Sequence, residues 1–162
     1  MSIDVTVAAP EDTAAIQQML AEAAEWVDAL GVVMWAEDER NPAATATEVA
    51  AGQFAIATID GDPAGAIRFQ TEDLLFWPDI AQERSAFVHR LVVSRRYKGR
   101  GVATALLGWA ADRARRMGKT HLRLDCDANR PKLRALYERF GFRFHSYRQV
   151  GPHHVSRYEL PV

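Results

Sequence analysis

Residues 87–142 read FVHRLVVSRRYKGRGVATALLGWAADRARRMGKTHLRLDCDANRPKLRALYERFGF. The apolar run from Phe87 to Val93, with Leu91-Val92-Val93 at its heart, suits a buried strand. A basic, glycine-containing turn follows it, Arg95-Arg96-Tyr97-Lys98-Gly99-Arg100-Gly101. Val102, Leu106, Trp109, Ala110, Ala114 and Met117 then recur at helical spacing, and Gly118 stands where a C-cap glycine belongs. His121 to Cys126 reads as a second strand. A second helix is predicted from about Pro131 to Phe140, stopped by Gly141. A strand, helix, strand crossover makes the two strands parallel and adjacent.

The turn before the first of these helices has a chemical logic. A helix N-terminus presents amides without intrahelical partners, and its dipole favours negative charge. Gly99 and Gly101 let the backbone approach a ligand with no Cβ in the way. Arg95, Arg96, Lys98 and Arg100 add positive charge, so the ligand implied is polyanionic, most simply a diphosphate. The competing reading is a tight turn with a solvated basic rim. A P-loop would need GxxxxGK[ST], which is absent. A dinucleotide fingerprint would need a third glycine at Thr104 and usually opens a chain's first crossover unit.

A chain of 162 residues holds one domain with a real core, and the expectation is a single domain over 1–162. No apolar run approaches membrane-spanning length. The first residues, Met1-Ser2-Ile3-Asp4-Val5, lack the pattern of a signal peptide, and a cytoplasmic location is the default expectation. The one cysteine, Cys126, excludes an internal disulfide and a cysteine zinc site, and no metal is expected. The net charge of −1 hides an asymmetry. Residues 1–83 carry 16 acidic and two basic side chains, and residues 84–162 carry five acidic and 18 basic ones. A basic half suits a polyanionic cofactor, and an acidic half suits a cationic acceptor such as an amine. Mutual attraction between the halves, with most charges solvated, explains the asymmetry equally well. Nucleic-acid binding is the weaker reading of the basic half, because no recognised motif accompanies it.

The rest of the chain supplies the remaining elements. Ile3 to Val7 alternates as a first strand. Pro10-Glu11-Asp12 opens a helix with the apolar stripe Ile16, Met19, Leu20, Ala23, Trp26 and Val27, ended at Gly31. Val32 to Trp35 is a short apolar piece of loop. Asn41 caps a second helix that has Pro42 at its first position and ends at Gly52. Phe54 to Ile59 is a strand, Asp60-Gly61-Asp62-Pro63 a turn, and Ala64 to Gln70 the antiparallel partner. Arg143 to Val150 and His154 to Leu160 flank a Gly151-Pro152 turn as two last strands. The order β-α-α-β-β-β-α-β-α-β-β predicts a mixed sheet with helices packed on it, α/β or equally α+β.

Two segments together resemble a known family. Lys98-Gly99-Arg100-Gly101-Val102-Ala103 is similar to the (Gln/Arg)-x-x-Gly-x-(Gly/Ala) pyrophosphate loop of the GNAT acetyltransferases. Leu136-Tyr137-Glu138-Arg139-Phe140-Gly141-Phe142 resembles their later YExxGF segment, and the element order agrees with theirs. Lys98 departs from the family's Gln or Arg. Arg130 stands where the family often has Asn, with Asn129 one residue earlier. The resemblance implies an acetyl-CoA-dependent N-acetyltransferase acting on a primary amine of a small molecule or protein. The alternative class is a non-catalytic acyl-CoA sensor. A homodimer is compatible with either. The family's splayed central strands would receive the pantetheine arm on the backbone of Leu91, Val92 and Val93. The diphosphate would lie on Lys98, Gly99, Arg100, Gly101, Val102, Ala103 and Thr104, with Asn129 a further cofactor contact.

Direct acyl transfer needs two reactants oriented, an oxyanion stabilised and two protons moved. The resemblance makes Tyr137 the acid for the leaving sulfur and a cofactor contact; by spacing alone Tyr137 reads as a core aromatic beside Leu133, Leu136 and Phe140. His89 is the candidate base, having a suitable ordinary pKa, although a strand histidine is more often merely packed. Asp125 and Asp73 are weaker candidates, and a water relay is a further one. Cys126 reads as a small buried hydrophobe. The family's acceptor pocket, built from the first helices and the loop after the third strand, would draw on Trp35, Asp73 and Trp77, with Trp26 and Phe76. Core packing explains each of these aromatics as well. Glu37, Asp38 and Glu39 lie in the same region and read equally as a solvated face.

Overall fold

The computed structural model describes residues 2–29 and 41–162. Gly31, Trp35, Glu37, Asp38 and Glu39 lie outside the described residues, and so do the expected helix stop and the acceptor contact at Trp35. The predicted order of elements is observed. It runs β1 (Ile3–Val7), α1 (Thr13–Ala29), α2 (Pro42–Ala50), β2 (Phe54–Ile59), β3 (Asp62–Gln70), β4 (Ser85–Val93), α3 (Val102–Arg116), β5 (His121–Asp127), α4 (Pro131–Phe140), β6 (Arg143–Val150) and β7 (His153–Pro161). The strands form one mixed sheet in the order β1-β2-β3-β4-β5-β7-β6. None of the described helices is long and apolar enough to cross a membrane.

The chain groups into two compact units, Met1–Arg68 with Arg90–Leu106, and Phe69–His89 with Leu107–Val162. In the first, β1, β2 and β3 make an antiparallel meander with Ile3 opposite Ile59 and Phe54 opposite Arg68. Asp60 and Gly61 both take positive φ, as a two-residue hairpin turn demands. The turn is therefore shorter than the four residues expected. Asp62 and Pro63 belong to β3, and Pro63 is tolerated because the register shifts there, between Ala57 and Thr58. A short 3-10 turn, Pro10–Asp12, leads into α1, and the Asp12 carboxylate accepts from the Ala9 amide at 2.8 Å. Asn41 caps α2 as expected, with Oδ1 accepting from the Ala43 amide at 2.9 Å. Ile16, Met19, Leu20 and Ala24 of α1 close over Val49, Phe54, Ile56 and Val92 as one apolar cluster. Burying such side chains stabilises by roughly 1.5–3 kcal/mol for each large one. Trp26, expected on that stripe, is 39% exposed, and the Arg95 guanidinium lies 5.9 Å from its ring centroid.

Gly65 on β3 shows how tightly this unit is packed. A Cβ there would meet the Val92 carbonyl oxygen at 2.7 Å and Val102 Cγ1 at 2.8 Å. Gly65→Ala is expected to cost roughly 1–3 kcal/mol through overpacking. A thermal melt would read this as a drop of about 2–4 °C per kcal/mol. An unchanged Tm would mean that β4 and α3 yield more easily than their packing implies.

In the second unit β4 and β5 are parallel, as predicted, from Ser85 opposite His121 to Phe87 opposite Arg123. β5 continues against β7 as far as Asp127 opposite Val155, and β7 pairs with β6. Gly118 (φ 76) and Gly141 (φ 123) follow α3 and α4 in conformations that strain other residues. Met117 falls just beyond α3 and is 47% exposed, so the helix's apolar face ends at Ala114 and not at Met117.

Candidate active site

The second unit gathers three titratable side chains that are far apart in sequence. The parallel ladder ends at Phe87 and Arg123, and His89 and Asp125 lie two residues further along their strands. Strand side chains alternate, so residues two apart share a face, and the parallel register sets His89 beside Asp125. His89 Nδ1 is 3.9 Å from Asp125 Oδ2. On the other ring nitrogen, His89 Nε2 is 2.9 Å from Asp73 Oδ2. The His89, Asp73 and Asp125 side chains are 15%, 6% and 10% exposed.

Asp73 reaches His89 because the loop after β3 is wound around its own backbone. Asp73 Oδ1 accepts from the amides of Leu75 at 3.1 Å and Phe76 at 2.9 Å, the local turn that aspartate favours. Gln82 spans the loop, its Oε1 accepting from the Asp73 amide and its Nε2 donating to the Trp77 carbonyl. Burial pushes the Asp73 carboxyl upward. The hydrogen bond and charge of His89 and the two loop amides outweigh it, and the carboxyl sits below its ordinary range. An ionised Asp73 has a partner for Oδ2 only if the imidazole proton is on Nε2; the other tautomer would leave a buried acceptor unmatched. Nδ1, on the other side of the ring, faces the Asp125 carboxylate.

Tyr137 is the buried residue of α4, 6% exposed, against Phe142 at 6.0 Å and Tyr158 at 6.3 Å between ring centroids. Burial, then the nearby Cys126 and Asp125, push its phenol well above the ordinary value. The hydroxyl therefore keeps its proton at neutral pH. Cys126 is buried, and desolvation with Asp125 beside it pushes its thiol up to about 12. A thiol so protonated is a poor nucleophile, in line with the inert role expected of it.

The first unit carries the loop expected to cradle an anion. Gly99 and Gly101 take φ of 77° and 83°, and a Cβ on either would stand in open space. The amides of Val102, Ala103 and Thr104 in the first turn of α3 have no intrahelical acceptor. Lys98, Gly99, Arg100 and Gly101 are exposed. This geometry fits a diphosphate. Arg96 is already engaged by Asp62 at 2.9 Å, and the Tyr97 hydroxyl donates to the same carboxylate. Upstream, Val92 is buried while Leu91 and Val93 are half-buried. Arg90 has φ of 51°, a left-handed conformation that strains a non-glycine residue. Its buried guanidinium is held by Glu48 and lies 5.4 Å from the Phe54 ring centroid. Nothing in the run HRLVV marks this kink.

Trp77 is not an acceptor wall. It is fully buried, with Phe87 at 6.5 Å, His145 at 5.1 Å and the guanidiniums of Arg157 and Arg123 at 4.5 and 5.0 Å from its ring. Phe76 lies 6.3 Å from the His89 ring. Asn129 is exposed, and its amide donates to Asp127 Oδ1 at 2.8 Å, closing the turn before α4. Asp73, read from sequence as an acceptor contact or a weaker base, is found as the partner of the histidine.

Asp73, His89 and Asp125 each offer a metal-ligating atom, all within 4.8 Å of one another. The two carboxylates face different ring nitrogens, so an ion held through Nδ1 would keep Asp73 as an outer partner and gain few direct ligands.

The chain is similar to known acetyltransferases. The model of the Acetyltransferase (GNAT) family matches residues 21–142. An uncharacterised N-acetyltransferase, YesJ of Bacillus subtilis, is 40% identical over 72 residues; the match spans 44% of this chain and 40% of that relative's length. Three solved structures share the fold. A GNAT-family acetyltransferase of Listeria monocytogenes superposes with a TM-score of 0.82 at 24% identity, over 99% of this chain and 95% of the other. YncA of Salmonella typhimurium, described as a putative acetyltransferase with its cofactor acetyl-CoA, gives 0.76 at 17% identity, over 99% and 94%. The PaiA N-acetyltransferase of Thermoplasma acidophilum, in complex with coenzyme A, gives 0.76 at 19% identity, over 99% and 100%.

Proposed function

The chain belongs to the GNAT acetyltransferase family and is an acyltransferase, and on that premise we propose that it transfers the acetyl group of acetyl-CoA directly to a primary amine of a small molecule or protein. Acetyl-CoA supplies an activated acetyl group as its thioester. The cradle at Lys98 to Thr104 binds the diphosphate through backbone amides and basic side chains. Leu91, Val92 and Val93 offer strand backbone to the pantetheine arm. His89 Nδ1 takes the proton of the amine, while Asp73 fixes the imidazole from the far side. An imidazolium formed there lies between the Asp73 and Asp125 carboxylates. Tyr137, protonated at neutral pH, gives a proton to the leaving thiolate. The observation that carries the reading is the 2.9 Å contact of buried Asp73 with His89, because a binding module has no need of an oriented base.

The test is release of CoA from acetyl-CoA in the presence of polyamines, amino acids, aminoglycosides and peptide N-termini. Turnover with at least one amine is expected. Saturable acetyl-CoA binding with no turnover across the panel would point to an acyl-CoA sensor.

The cradle has its own test. Gly101→Asp puts a strained side chain and a negative charge where the diphosphate approaches α3. Loss of a diphosphate contact of this kind is expected to raise the Kd for acetyl-CoA by at least about tenfold, since tenfold is only 1.4 kcal/mol. Calorimetry giving the wild-type Kd for a folded variant would reduce the loop to a structural turn.

A further inference from the structure

Asp73 is held against His89 by a path of hydrogen bonds that begins on β7. Arg157 is 4% exposed, and its guanidinium uses nearly all of its donors. Two go to Asp79, Nη1 to Oδ1 at 2.7 Å and Nη2 to Oδ2 at 3.0 Å. Nη1 also donates to the Phe76 carbonyl at 3.0 Å, and Nε donates to Ser146 Oγ at 2.9 Å. The plane of the same group covers the buried Trp77 ring at 4.5 Å. Phe76 links this cluster to the site, because its amide donates to Asp73 Oδ1 while Asp73 Oδ2 meets His89 Nε2. Residues 73–79 are thus stapled at both ends, by Arg157 at Phe76 and Asp79 and by Gln82 at Asp73 and Trp77.

We infer that the Arg157–Asp79 clasp is the positioning device of this site, fixing through Phe76 the carboxylate of Asp73 on His89. The inference rests on the reading of His89 as the base. Bidentate pairing of arginine with a carboxylate adds geometric precision that lysine cannot supply. Arg157 holds the Asp79 carboxyl down at about 2, so the clasp is ionised at any pH used for assay. A partly exposed aspartate far from the reacting atoms would then control catalysis through one hydrogen bond.

The experiment compares Asp79→Asn, Arg157→Lys, Asp73→Asn and Asp73→Asn/Asp79→Asn in the full chain. Two readouts are taken. One is the 15N-edited NMR signal of the His89 Nε2 proton, which needs no ligand. The other is kcat for CoA release from acetyl-CoA with the best amine of the panel above. Asp79→Asn is expected to lower kcat about 10–100-fold, the scale of a small misplacement of a catalytic group. The Nε2 proton signal should weaken or broaden, with KM for acetyl-CoA unchanged. Added to Asp73→Asn, it should cost nothing more, because it acts only through Asp73. Arg157→Lys should behave alike and serves if Asp79→Asn does not fold. A full additional loss in the double variant, or an unaltered Nε2 signal and kcat in Asp79→Asn, would overturn the inference and leave the clasp a structural staple. An unaltered kcat in Asp73→Asn would remove the base reading instead. The NMR signal still decides in that case whether Asp79 governs the Asp73–His89 contact.

Discussion

His89→Gln is expected to lower kcat by roughly 10²–10⁴-fold, the scale of a positioned general base. Glutamine is chosen because its amide NH₂ can still donate toward Asp73, so the pocket keeps a partner for that buried carboxylate. What it lacks is a nitrogen that accepts a proton near neutral pH. The loss therefore isolates proton transfer from packing. The acetyl-CoA Kd should stay near wild type, because proton removal belongs to the transition state and not to cofactor binding. The defect should also shrink at high pH. An alkylamine has a pKa near 10.4, so the neutral, attacking fraction rises about tenfold per pH unit below that value and the need for a base falls. The checks are kcat between pH 7 and 10 and cofactor calorimetry. A folded His89→Gln enzyme with wild-type kcat at neutral pH would end the assignment of His89.

Tyr137→Phe is expected to cost kcat about 10²–10⁴-fold while leaving Tm and the acetyl-CoA Kd nearly unchanged. The ring keeps its contacts with Phe142 and Tyr158, so the substitution deletes one oxygen from a buried site without opening a large cavity. Burial holds the phenol in its protonated form and makes it a weaker acid, so it gives its proton only to a leaving thiolate kept basic by the same dry surroundings. Steady-state turnover with an accepted amine, set against a melting curve, separates the roles. A large fall in Tm with a matching fall in activity would make Tyr137 a packing residue. A fall in kcat alone supports the acid.

The part of this protein that was legible in the sequence is the part encoded by neighbours. Arg95 to Gly101 and the start of the helix after it are adjacent in sequence, so spacing alone suggested either a polyanion cradle or a tight basic turn, and Gly99 and Gly101 do take positive φ. The order of strands and helices followed from local periodicity, and the parallel pairing of β4 with β5 followed from the crossover between them. Boundaries slipped where tertiary structure outweighed local signals. Pro63 entered a strand because a register shift accommodates it, and Met117 stayed outside a helix whose pattern it continued.

The proposed catalytic grouping was not legible in the same way. From sequence His89, Asp73 and Asp125 were rivals for one role; the fold makes them parts of one assembly. Trp77 could be read equally as a pocket wall or as core, and two guanidiniums over a fully buried ring decide for core. Arg157 gave no signal at all, standing 78 residues from the Asp79 it grips. The physical reason is the same in each case. Helix starts, turns and glycine conformations are set by the energies of a few adjacent residues, which the sequence states by itself. Which imidazole nitrogen meets which carboxylate is set by strand register and by how a loop is pinned to a strand from the other end of the chain, and only the packed tertiary structure brings those atoms within hydrogen-bonding distance.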